Sequence, residues 1–252
     1  MPREALIVGL GLIGGSAGIA LRARGWRVRY IDPQVSVDDA RAKGAADDRV
    51  ETIDDASDVT LLATPLDVAV RDLAALRAQH VVTSTCSVMR PLRAVARTHF
   101  IAGHPLAGSH EQGLAAARGD LFEGKRWFVD GDDARVDELI RDCGAVVERV
   151  DAEAHDAALA LTSHLPQLLS TALAAYMSEQ PGELHRFIGS GLRDFLRLAG
   201  SPASMWVPLL EANRDAIAPH ADGVARIVRT LLDGGDDAAR TFDDARAFWR
   251  TL

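Results

Sequence analysis

The sequence predicts an α/β domain built on a mostly parallel sheet, followed by an all-α domain. Three observations lead there. Short β-branched runs alternate with helical segments as far as about residue 150, a glycine-rich turn joins the first strand to the first helix, and beyond residue 151 only helical periodicity continues. The expected domains are therefore 1–150 and 151–252.

In the first domain the apolar runs place strands over 5–9, 27–31, 59–63, 80–84, 100–102, 127–129 and 146–150. Helices are expected between them over 14–23, 68–78, 91–97 and 134–143. In the second domain helices are expected over 152–178, 182–198, 204–218, 220–234 and 237–252, with breaks at 180–182, 200–202 and 234–235 and a further boundary at Pro219. The first of these is apolar on nearly every face, so it needs cover from the other helices or from a second subunit. A homodimer built through this domain is the expectation. There is no internal repeat.

Composition narrows the function class. With 48% hydrophobic and 25% charged residues the chain is an ordinary globular protein. A net charge of -8 repels a phosphate backbone, and no run of basic residues interleaved with aromatics offsets it, so nucleic acid is not an expected partner. The two cysteines, Cys86 and Cys143, stand far apart and outside any metal-ligand spacing, which suggests neither a disulfide framework nor a metal site. An apolar strand begins within a few residues of Met1, leaving no room for a signal peptide, and the most apolar stretch is interrupted by Ser163, His164, Pro166 and Gln167. A cytoplasmic protein with no membrane partner is expected.

The first strand leads into Gly9-x-Gly11-x-x-Gly14 and then a helix, the setting in which this glycine pattern carries meaning. Gly9 permits the turn, Gly11 admits a pyrophosphate close to the backbone, and Gly14 lets the helix lie against its strand. The anion then sits at the helix amino terminus, over Leu12 and Ile13. Asp32, at the end of the second strand, suits the ribose hydroxyls and repels a 2′-phosphate, which favours NAD over NADP. Thr64 and Pro65 follow another strand directly and fall on the same carboxyl edge. A Rossmann-type dinucleotide domain follows.

His104 is read as standing just after a strand, on a rigid turn between Gly103 and Pro105. Histidine titrates near neutrality, so it can accept a hydroxyl proton while a hydride leaves the same carbon.

Four ordered blocks now carry a resemblance: GLGLIGGS at the opening, HPLAGS with GLAAARGDLFEG, the helical SHLPQLL, and GLRDFLRLAGSPASMW followed by LLEANRD. Together they resemble the prephenate and arogenate dehydrogenase family of tyrosine biosynthesis, along almost the whole chain. The resemblance implies NAD-dependent oxidative decarboxylation of a cyclohexadienyl substrate. On that likeness His104 would bind the substrate's ring hydroxyl, and Ser87 would touch both His104 and the nicotinamide. Arg197 would hold a carboxylate, with Ser109, Gln167, His164 and Asp194 completing the substrate side.

Three positions depart from the family pattern. Gln167 replaces a frequent histidine, His110 stands where a small acidic or polar residue is common, and Ser84-Thr85-Cys86-Ser87-Val88-Met89 lacks an aspartate usual before the serine. These bear on prephenate against arogenate, or a 4-amino analogue, more than on reaction type. A β-hydroxyacid dehydrogenase or imine reductase would want a lysine in the helical domain, yet the only lysines are Lys43 and Lys125. A non-catalytic NAD-binding redox sensor would not need His104, Ser87 and Arg197 together.

Overall fold

The computed structural model describes residues 3–108 and 111–252. Eight strands form one sheet: β1 (Glu4–Val8), β2 (Arg27–Ile31), β3 (Asp48–Arg49), β4 (Val59–Leu62), β5 (Val81–Ser84), β6 (Phe100–Pro105), β7 (Arg126–Asp130) and β8 (Val146–Arg149). Their order is β3-β2-β1-β4-β5-β6-β7-β8. The strands from β3 to β6 run parallel, β7 reverses direction against β6, and β8 follows β7. Between the strands lie α1 (Leu12–Ala23), α2 (Val37–Ala42), α3 (Leu66–Ala75), α4 (Arg90–Val95) and α5 (Ala134–Asp142).

The central strands are buried on both faces, and their residues alternate between two apolar clusters. Leu61, Val81, Ile101 and Val129 join one cluster, while their neighbours Leu62, Val82, Ala102 and Phe128 join or pack against the other. Packing is close enough to involve backbone: a Cβ on Gly18 of α1 would collide with the Ala45 carbonyl. Strand order reverses between β1 and β4, the switch point outside which open α/β sheets bind ligands.

The remaining helices are α6 (Ala152–Leu159), α7 (Leu165–Ser178), α8 (Ser190–Leu196), α9 (Ala203–Ala212), α10 (Arg214–Asp233) and α11 (Gly235–Trp249). A π-helical turn, Ala160–His164, lies between α6 and α7, and 3-10 turns occupy Leu184–Phe187 and Arg197–Gly200. The chain divides into two compact units, 1–156 with 201–212, and 157–200 with 213–252. The segment containing α9 thus belongs to the sheet unit, where Leu209 and Trp206 pack against the second apolar cluster. No described helix is long and apolar enough to cross a membrane.

Several sequence expectations change here. β3 and α2 are too short to show a period, and neither was expected. The helix expected over 182–198 is instead two 3-10 turns flanking the short α8. The break expected near Pro219 falls at Asn213, and α10 runs through Pro219. Asn213 leaves helical geometry (φ -116°, ψ 19°) while its side chain meets the His164 ring, and the fixed φ of proline suits a helix that gives up one backbone bond. The chain does not cover α7 all round, since Leu173 and Tyr176 are exposed.

Candidate active site

Gly9 adopts φ +92°, and a Cβ there would lie 2.7 Å from the Ala63 carbonyl oxygen. Gly14 must also lack a side chain, because its Cβ would run into the Gly9 carbonyl. Around a Cβ on Gly11 there is open space for 4 Å, so the turn is tight behind and empty in front. No side chain caps α1, whose first residues are Leu12, Ile13 and Gly14, and its amino terminus is available to an anion.

Asp32 is fixed by two backbone donors, Leu10 N to Oδ2 at 2.8 Å and Gln34 N to Oδ1 at 2.8 Å. It borders a cavity shared with Gly11, Asp39, Lys43 and Leu114. Lys43 donates from Nζ to the Ala115 carbonyl at 2.7 Å, tying the 3-10 turn Leu114–Ala116 across one side. Thr64 and Pro65 follow β4, with Pro65 at the amino cap of α3 and the buried Thr64 Oγ1 lacking a hydrogen-bond partner. The glycine cradle, the uncapped helix and the fixed Asp32 carboxylate beside the cavity fit a dinucleotide.

His104 lies within β6, paired with Phe128 of the antiparallel β7, rather than on a turn after the strand. The sequence reading ended the strand at 102 because Gly103 and Pro105 look like turn residues, but β7 supplies an edge partner that carries the strand through them. Buried to 7% exposure, His104 directs Nδ1 to His155 Nε2 at 3.0 Å. His155 Nδ1 in turn meets Asp156 Oδ1 at 2.8 Å. Asp156 accepts from the backbone N–H groups of Met89 (2.9 Å) and Arg90 (2.9 Å), at the start of α4, and lies 3.4 Å from the Arg90 Nε. His155 packs edge-on against the Phe128 ring, with centroids 5.6 Å apart.

Sequence reading missed His155 and Asp156. They are adjacent at the first turns of α6, and nothing in the sequence shows that they meet β6 and α4. Ser87 stands half-buried between β5 and α4 and makes no hydrogen bond to a described residue. Beside it, burial pushes the Cys86 thiol up to about 12, which keeps it protonated and unreactive.

In the helical unit His164 is fully buried on the π turn, with Nδ1 3.1 Å from Asn213 Nδ2. Gln167 is also buried; its Nε2 donates to the Leu198 carbonyl (2.8 Å) and the Thr171 hydroxyl (3.1 Å). Arg197 and Asp194 are exposed and form no ion pair with each other. Ser109 and His110 lie outside the described residues.

Fold and site define a dinucleotide-binding α/β protein with a buried histidine in its sheet and a separate helical unit. The family models that match are the prephenate dehydrogenase nucleotide-binding domain, over residues 17–155, and the prephenate dehydrogenase dimerization domain, over 151–233. Similar curated proteins include the probable prephenate dehydrogenase NovF of Streptomyces niveus, 32% identical over 92% of this chain and 68% of its own length. The cyclohexadienyl dehydrogenase of Zymomonas mobilis is 30% identical over 86% of this chain and 83% of its own. Among solved structures, prephenate dehydrogenase from A. aeolicus with hydroxyphenyl propionate and NAD+ superposes with a TM-score of 0.82 at 25% identity, covering 100% of this chain and 96% of that one. The chain belongs to the prephenate dehydrogenase family.

Proposed function

We propose that this chain is an NAD-dependent dehydrogenase that oxidatively decarboxylates a cyclohexadienyl substrate, prephenate or arogenate, in tyrosine biosynthesis, and acts as a homodimer through its helical unit. The observation that carries the reading is a shared edge. The glycine turn follows the carboxyl end of β1, and the buried His104 lies toward the carboxyl end of β6 in the same sheet. Support comes from the family, from a relative crystallised with NAD+, and from Asp32 and Asp39 beside the cofactor cavity, where a 2′-phosphate would be repelled.

Bound NAD supplies the hydride acceptor. The chain's own work is alignment and proton transfer: His104 accepts the ring hydroxyl proton as hydride leaves the same carbon, the ring carboxylate departs as carbon dioxide, and its bonding pair aromatises the ring to a phenolate that takes the proton back from His104. Ser87 is assigned to the space between His104 and the cofactor. Arg197 is assigned to a substrate carboxylate, for which a planar guanidinium fork is suited, with Ser109, His164, Gln167 and Asp194 shaping the rest.

The test is formation of NADH from NAD, or of NADPH from NADP, with prephenate or arogenate in separate reactions. Turnover with NAD and one of the two substrates supports the reading; no turnover in any combination removes it. His104→Asn should lower kcat by roughly 1,000-fold with NAD affinity unchanged. Arg197→Ala should raise KM about 10-fold or more, and an unchanged KM would assign the carboxylate to another residue.

A further inference from the structure

We propose that His155 and Asp156 are positioning residues that fix the tautomer of His104, so that its Nε2 is the proton-accepting atom, and that they hold the positive charge formed there. The inference rests on His104 being the base, as proposed above. It is drawn from the buried chain His104 Nδ1···His155 Nε2 (3.0 Å) and His155 Nδ1···Asp156 Oδ1 (2.8 Å).

The proton positions follow from donor and acceptor capacity. Asp156 already accepts two backbone N–H groups, from Met89 and Arg90, and has a guanidinium nearby, so it is an ionised, acceptor-only carboxylate. Its contact with His155 therefore requires a proton on His155 Nδ1. A neutral His155 then offers only a lone pair at Nε2, and the 3.0 Å contact requires the proton of His104 to reside on Nδ1. A neutral His104 so held has its lone pair on Nε2, the tautomer a base at that atom needs.

The same chain serves the charged state. When the substrate hydroxyl proton arrives at His104 Nε2, the imidazolium donates its Nδ1 proton toward His155 Nε2. Charge is thereby shared toward the Asp156 carboxylate, which stays ionised. Both His155 and Asp156 are at most 1% exposed, so water does not compete for these bonds. Geometry keeps the rings in place: Phe128 lies against His155, and Asp151 caps α6 by accepting from Ala154 N at 3.1 Å.

Three variants and one spectrum test this. His155→Leu removes the acceptor and should lower kcat about 100-fold with KM changed less than about two-fold, as expected when a base loses its tautomer. His155→Gln can place a carbonyl where Nε2 was and should recover about ten-fold of that loss. Equal kcat in His155→Leu and wild type, or no difference between the Leu and Gln variants at matched thermal stability, would overturn the relay.

Nitrogen NMR of isotope-labelled histidine in the intact wild-type protein, assigned with His104→Asn, reads the tautomer without turnover. A proton on His104 Nδ1 supports the relay, and a proton on Nε2 refutes it. Failure of the underlying reading looks different. His104→Asn would then be as active as wild type whatever the spectrum shows, whereas an inactive His104→Asn beside a fully active His155→Leu would refute the relay alone.

Discussion

The sheet unit and the helical unit place their large apolar side chains differently. In the sheet unit they form two dense clusters, and Trp127, Tyr30, Phe122 and Leu61 have essentially no exposure. In the helical unit Phe187, Leu232, Phe242 and Trp249 are more than half exposed. Its buried residues include His164, Gln167, Ser170 and Asn213, bonded to one another or to backbone. The sheet unit thus has the apolar burial of a self-sufficient domain, while the helical unit is held in register by hydrogen bonds and leaves its apolar surface for other cover. A second copy of the chain is the proposed cover, in keeping with the dimerization-domain model that matches residues 151–233.

The largest test of this contrast is the double substitution Ile227→Asp with Phe242→Asp, on exposed positions of α10 and α11. Two charges buried in an apolar interface should weaken the dimer at least about 100-fold, seen as a fall to monomer mass in light scattering, with NAD binding retained. An unchanged mass would move the interface elsewhere.

Glycines sharpen the contrast at smaller magnitude. Gly18→Ala, pressed against the Ala45 carbonyl, should cost about 2–3 kcal/mol in chemical denaturation. Gly223→Ala, in α10 with only the Arg226 guanidinium near its Cβ position, should add about 0.5–1 kcal/mol. Equal effects would mean that the two units are equally close-packed.

The smallest effect concerns Asp54, which the bidentate Arg29 guanidinium holds down at about 2 against an ordinary 3.8. A lowered folded value stabilises above the ordinary carboxylate range and is lost as pH falls toward 2. Asp54→Asn should therefore cost less than about 1 kcal/mol at neutral pH, since Asp54 is partly exposed, and the cost should fade as the pH falls through the value of about 2. A pH-independent difference would assign the effect to packing.

The glycine turn, Asp32 and most strands were legible because each rests on local signals: a period of two, a missing Cβ, a carboxylate at a strand end. What was illegible depended on distant partners. β6 extends through His104 only because β7 lies beside it, and His155 reaches His104 across 51 positions of chain. One helix gives way to the next at Asn213, whose side chain meets a ring 49 positions earlier in the chain. The family blocks pointed to Arg197 and Gln167, but no spacing could show that one would be exposed and the other buried.

The π turn at Ala160–His164 has a consequence for how this protein can change length. A π turn holds one residue more than an α turn, and each helical residue advances the face by about 100°. Deleting one residue there would restore ordinary α winding and leave the later side chains of α7 on their present faces, with Gln167 and Ser170 still on the Leu198 and Phe195 carbonyls, because the extra residue is absorbed within the turn itself. The π turn is therefore the place where this helix can lose one residue and keep its contacts, while a deletion within the α-helical turns after it would shift every later side chain by about 100°. Variants differing by one residue should also survive around Gly182, where φ is +97° and a Cβ would meet nothing within 4 Å.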